Sequence, residues 1–156
     1  VIGPTAGPEL RAQALFRDRF VGVVRTGHAL GEDEPSAARY AAATHIRVAR
    51  TGRDRGPVDD ALSALGLERH IATTVADFSA ALALVRATDW VASVPEKHTT
   101  HLRAGLHSFA LPLPPITVSL LWHPRMDGDP AHRWLRGCVR AACSDEETQA
   151  GYAGPT

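Results

Sequence analysis

Residues 74–96 read TVADFSAALALVRATDWVASVPE, and this stretch decides the fold class. Its centre, residues 80–87, carries Leu82, Leu84 and Val85 at helical spacing, which predicts a helix with those side chains turned inward. Asp77 and Ser79 both stand where an N-cap is needed. Residues 90–94 (WVASV) form a continuous apolar run, the pattern of a strand covered on both faces inside a parallel sheet. Pro95 suits the first turn of a following helix, expected over residues 96–104 and stopped by Gly105. On the other side, residues 71–75 read as a strand.

The same alternation continues outward. Residues 58–65 (VDDALSAL) predict a helix, with Pro57 at its start, Asp59 and Asp60 on its positive end and Gly66 as its stop. Residues 45–49 (HIRVA) read as a strand, and residues 51–57 as a Gly-rich charged loop. Residues 19–25 (RFVGVVR) read as another strand, and Ser36 can cap a short helix over residues 37–42. Towards the C-terminus, residues 106–113 are extended, and Pro112, Pro114 and Pro115 stiffen the connection and bar it from the middle of a sheet. Residues 116–122 (ITVSLLW) read as a strand. An amphipathic helix is expected over residues 129–142, with Trp134, Leu135, Cys138 and Val139 on one face. The polar tail, residues 143–156, is expected to be disordered. Alternating strands and helices of this kind argue for a parallel sheet covered by helices.

Composition narrows the function classes. The chain has 156 residues, enough for one globular unit, and no formal net charge. A DNA-binding surface needs an excess of positive charge, and none exists here. Lys97 is the only lysine beside sixteen arginines, which we read as a compositional bias of the source. No apolar run reaches the length of a membrane span. Residues 1–10 have neither the positive start nor the apolar core of a signal peptide, and there is no initial methionine, so the chain is expected to be cut from a longer one. Cys138 and Cys143 are five apart, a spacing that would strain a disulfide on a helix, so free thiols in a reducing cytosol are expected.

Several segments together resemble the effector domain of LysR-type bacterial transcription regulators. LFRDRFVGVVRTGHAL (residues 15–30) is similar to that family's strand running into a His-Pro-Leu loop, with Ala29 here in place of the proline. ATHIRVARTG (43–52), VDDALSALGL (58–67), the opening stretch and LPLPPITVSLLWHPRMDGDPAHRWLRGCVR (111–140) match the remainder in order and spacing. The resemblance covers residues 1 to about 140. The family's winged helix-turn-helix and linker helix are missing, as are the first elements of the effector domain.

The resemblance implies an α/β fold like that of type II periplasmic binding proteins, with two α/β lobes joined by two crossover strands and a ligand held in the cleft between them. The incomplete lobe I is expected to combine residues 1–25 with 109–142, and lobe II to span residues 26–108. In an open α/β sheet ligands sit beyond the carboxyl ends of strands, where helix N-termini offer free N–H groups that suit carboxylates. Three loops qualify: Arg50, Thr51 and Gly52 after the strand HIRVA; Asp77, Phe78 and Ser79 at a helix start; and Ser93, Val94 and Pro95 at the end of WVASV. Arg50 can pair with an anion through its planar fork or stand as a solvated surface arginine. Phe78 can wall the pocket or fill the core. Ser79 can donate to a ligand or cap its helix. Arg25 and His28 lie at a crossing and can face the cleft, although surface-loop placement suits His28 better.

Catalytic and metal readings find less. His98 and His101 share a helix face at three-residue spacing, but no third ligand is apparent. The chain has no nucleophile elbow, phosphate loop or zinc-binding helix motif. No catalytic residue, cofactor or metal is therefore expected. The expected function is that of a cytoplasmic effector-sensing domain that binds a small anionic metabolite and controls transcription through DNA-binding heads elsewhere in its parent. A solute-binding protein of the same fold and a small α/β enzyme are the alternatives. In the family such domains pair as dimers. Residues 58–65 and 71–75 are placed to supply half of that surface, so this piece alone is expected to dimerise weakly.

Overall fold

The computed structural model describes residues 9–49 and 55–150. The chain divides into two compact units. One contains the chain up to Asp18 and again from Pro115, and the other is Arg19–Pro114.

The larger unit is built on a five-stranded sheet in the order β4-β3-β5-β2-β6. Its strands are β2 (Phe20–Arg25), β3 (Thr44–Val48), β4 (His70–Val75), β5 (Val91–Pro95) and β6 (Leu106–Ala110). Strand β3 runs parallel to β4 and β5, whereas β2 is antiparallel to both β5 and β6. Both faces are covered, as the apolar run of β5 requires. On one face α3 (Phe78–Ala87) packs Ala81, Leu82 and Val85 against Val21, Val23, Ile46, Ala92 and Val94. On the other, α1 (Ala37–Ala42) and α2 (Pro57–Ala64) pack Tyr40, Ala41, Val58 and Leu62 against Val24, Val91 and Phe109. Successive strand residues alternate between the faces, so Ala92 and Val94 meet α3 while Val91 and Ser93 face α1 and α2. Gly22 belongs to this second face, where the Phe109 ring occupies the place of its missing side chain.

The smaller unit pairs β1 (Arg11–Asp18) with β7 (Ile116–Trp122) in an antiparallel ladder, interrupted by a bulge between Ala14 and Phe16. Helix α4 (Pro130–Ala150) runs beside β1. Asp129 starts it, accepting from the His132 N–H at 2.7 Å. Below it, Trp122 Nε1 donates to Asp127, Arg11 lies 3.3 Å from the same carboxylate, and the Arg136 guanidinium covers the indole at 4.8 Å. No helix among the described residues is long and apolar enough to cross a membrane.

Four expectations change. Strand β1 was not foreseen, because RAQALFRD has charged ends and a bulge that breaks its alternation. Residues 96–104 form a turn and a short 3₁₀ helix (Thr100–Arg103) instead of an α-helix. There the Pro95 and Glu96 carbonyls are taken by the hydroxyls of Thr99 and Thr100 and by the Arg103 guanidinium, and such side-chain bonds compete with the helical ladder. Helix α4 continues to Ala150, so residues 143–150 are helical where a disordered tail was expected. Finally, the units divide at Asp18 and Pro115 rather than at residues 25 and 109, because β2 and β6 are hydrogen-bonded neighbours inside the larger sheet. Strands β5 and β7 lie in separate sheets, as a two-lobed chain requires.

Candidate functional site

The larger unit holds a cavity of about 220 Å³ at the carboxyl end of β3. The strand delivers Ile46, Arg47 and Val48 to it; α2 delivers Pro57, Val58 and Asp59; Phe78 enters from the start of α3 and Phe20 from the start of β2; Ser93 comes from β5. The place follows from the topology: where parallel strands end and helices begin, backbone diverges and leaves a crevice.

Its charges are unevenly satisfied. Arg69 donates to both oxygens of Asp59, at 2.7 and 3.1 Å. Asp59 Oδ2 also accepts from the Gly56 N–H at 2.9 Å. Burial alone would raise the Asp59 carboxyl, but the Arg69 hydrogen bonds and charge outweigh it and hold the group below the usual carboxylate range. Arg55 is more than half exposed and lies 3.6 Å from Asp60. Arg47 approaches Asp59 only to 3.8 Å, and its buried Nε has no hydrogen-bond partner among the described residues.

Beneath Ser93 lies a buried polar cluster in which His45 Nδ1 has no hydrogen-bond partner among the described residues. The Ser93 and Tyr40 hydroxyls are hydrogen bonded to each other. The Tyr40 ring meets His45 edge-on at 4.6 Å, and His45 Nε2 donates to the Tyr40 carbonyl at 2.8 Å. Burial raises the Tyr40 hydroxyl above its usual pKa, and burial lowers the His45 imidazole to about 4.

The structure brings together only some of the residues expected from sequence. Phe78 lines the cavity and also meets the His98 ring edge-on at 5.9 Å. Val94 and Pro95 do not line it: Val94 points into the core under α3, and Pro95 is buried in the ladder opposite Phe20. Of the three residues named at the end of that strand, the alternation of β5 presents Ser93 to the cavity. Ser79 is exposed on the second residue of α3, and the cap is Asp77, which accepts from the Ala80 N–H at 2.8 Å. Arg25 lies at the opposite end of β2 from Phe20, paired with Asp89 at 2.6 Å. His28 is occupied nearby, its Nδ1 accepting from Leu30 N–H and its Nε2 bonded to the Asp89 carbonyl. Arg50, Thr51 and Gly52 fall outside the described residues. Among the described residues no cluster of three His, Cys, Asp or Glu could hold a metal.

Arg47, Arg69 and Phe20 were missed. Arg47 left one signal, a charge inside the β-branched run HIRVA. Arg69 left none, since its partner lies across a turn.

The LysR substrate binding domain model matches residues 1–144. The chain is 36% identical over 135 residues to the HTH-type transcriptional regulator SyrM of Rhizobium meliloti (strain 1021), covering 83% of this chain and 41% of that protein. The crystal structure of a probable transcriptional regulator, PA0477 from Pseudomonas aeruginosa, superposes with a TM-score of 0.77 at 28% identity, over 89% of this chain and 49% of that one. The effector-binding domain of QuiR in complex with shikimate shares the fold, with a TM-score of 0.72 at 16% identity over 88% and 67%. The chain spans less than half the length of relatives such as SyrM.

Proposed function

The chain belongs to the LysR substrate-binding domain family, and on that premise we propose that it senses a small anionic metabolite and relays its presence to transcription in the longer regulator of which it forms part. The fold is that of LysR effector domains, which is like the type II periplasmic binding proteins. The observation that carries the reading is the cavity at the carboxyl end of β3, lined by Phe20, Ile46, Val48 and Phe78 together with the guanidinium-bearing Arg47, Arg55 and Arg69.

A ligand shifts a two-state equilibrium only by binding one state better than the other. Arg47 on β3, Asp59 on α2 and Phe78 on α3 come from three separate elements, so a ligand touching all three favours one arrangement of them. The zero net charge leaves DNA contact to a winged helix-turn-helix in the parent, working in the cytoplasm and as a homo-oligomer. The shikimate complex of QuiR, a domain of the same fold, supports a small carboxylate as the class of effector.

An enzymatic reading has less support. Ser93 is the one hydroxyl, thiol or imidazole side chain lining the cavity among the described residues, and its oxygen is bonded to Tyr40 rather than to a base. A solute-binding reading is disfavoured because the relatives are regulators. A thermal-shift screen of aromatic and aliphatic carboxylates, followed by amide shifts at Val48 and Phe78, tests the proposal. Hits that stabilise the chain and move those amides are expected. A broad panel that moves neither would refute it.

A further inference from the structure

We propose that Arg19 and Glu96 form a latch at the end of the β2–β5 ladder, and that its opening lengthens the chain that links the larger unit to the smaller one. The latch stands whether or not the cavity binds a metabolite, so its test and the test of the sensing role fail separately.

Arg19 is the first residue of the larger unit and the single residue between β1 and β2. The ladder pairs Phe20 with Pro95 and Val21 with Val94, so the same register sets Arg19 opposite Glu96. Their backbones are joined: the Glu96 N–H donates to the Arg19 carbonyl at 2.9 Å. A bonded antiparallel pair exchanges two such bonds, but the Glu96 carbonyl is turned to the Arg103 guanidinium at 2.8 Å and to the Thr100 hydroxyl at 2.9 Å. Side chains reinforce this last rung instead. The Arg19 fork donates to both oxygens of Glu96, from Nε to Oε2 and from Nη2 to Oε1, the latter at 2.9 Å. Two parallel bonds of this kind give an arginine–carboxylate pair its direction. They also hold the Glu96 carboxyl below its usual range, so the pair stays charged at neutral pH.

The rung can open without the sheet. Its side chains are 58% and 34% exposed, and solvent and salt weaken such a pair, so it belongs to the least stable end of the ladder. Behind it, Pro95 has no N–H to give Phe20, and β6 meets β2 from Val21 onward. Bonded rungs alternate along an antiparallel ladder, so the next one inward is Val21 with Val94, both buried. With the latch closed, Arg19 alone separates β1 from β2. With it open, Phe20 joins the free segment, and because Phe20 lines the cavity, opening also withdraws one wall residue. The second crossing between the units is stiffened by Pro112, Pro114 and Pro115, whose rings fix φ, so the adjustable length lies at the first.

The test is native-state hydrogen exchange of the chain at neutral pH, read at the amides of Glu96 and, one bonded rung inward, Val94. Arg19→Ala should lower the protection of the Glu96 amide about fivefold, the size expected for an exposed pair, and that of Val94 by less than about twofold. Arg19→Glu sets two carboxylates opposite each other and should lower it further. Combining Arg19→Glu with Glu96→Arg should return the residue 96 amide to within about twofold of the unsubstituted chain. Salt at about 0.5 M should reduce protection at Glu96 in the unsubstituted chain and leave it unchanged in Arg19→Ala. Equal losses at Glu96 and Val94 would make the rung part of one cooperative sheet and overturn the latch. An unchanged Glu96 amide in Arg19→Ala overturns it too, as does a folded swap variant that recovers no protection.

Discussion

Arg69 and Asp59 form a two-bond ion pair with side chains only 6% and 11% exposed, reaching from the start of β4 to the first turn of α2. Arg47 approaches the same carboxylate only to 3.8 Å. The Arg69–Asp59 pair ties β4 to α2 and is structural.

Removing one partner of a buried pair strands the other's charge, which costs about 3 kcal/mol or more. Arg69→Met and Asp59→Leu should each lose about that much stability in urea denaturation. The double variant should lose clearly less than the two together, because neither charge is then stranded. Additive losses would mean the pair is not coupled.

His45 makes stability depend on pH. Its folded pKa, about 4, lies below the unfolded value near 6.5 because burial penalises the charged ring. The unfolded chain therefore binds the extra proton between those values. The contribution is complete above about pH 6.5 and is lost as pH falls towards 4, amounting to about 3 kcal/mol. Asp59, also depressed, adds a further loss as pH falls through the carboxylate range. Denaturation midpoints from pH 7.5 to 4 should show the decline, and His45→Gln should flatten the part above pH 4.5.

Gly22 is required by the ring beside it. A Cβ built there overlaps Phe109, so Gly22→Ala should destabilise the larger unit by about 1–3 kcal/mol, the usual cost of overpacking. Phe109→Leu in the same chain should recover part of the loss. Thermal unfolding of the single and double variants measures both.

The cap of α3 separates two residues that the sequence could not rank. Asp77→Ala should cost about 1 kcal/mol. Ser79→Ala, at an exposed position, should stay within about 0.5 kcal/mol. Equal effects in chemical denaturation would contradict the observed bond from Ala80 N–H to Asp77.

What could be read in advance was what neighbours along the chain decide. The apolar run of β5, the periodicity of α3 and the Pro57 start of α2 are local patterns, and each element formed where its pattern stood. Strand β1 was illegible because its partner β7 is about a hundred residues away and its own alternation is broken by the bulge at Ala14 and Phe16. The exposed Trp134 and Leu135, 71% and 50% open, carry the same lesson: an amphipathic pattern in α4 marks an apolar face without saying what covers it.

Sequence by itself therefore determined most secondary elements of the larger unit, residues 96–104 excepted, and their α/β class. Only the tertiary structure decided that β2 and β6 belong to one sheet, that of Ser93, Val94 and Pro95 it is Ser93 that lines the cavity, and that Arg69 rather than Arg47 makes the two-bond pair with Asp59. The physical reason is that hydrophobic periodicity is a property of consecutive residues. The pairing of a charge depends on which distant groups the folded chain places within 4 Å of it, and that is settled only when strands and helices have packed.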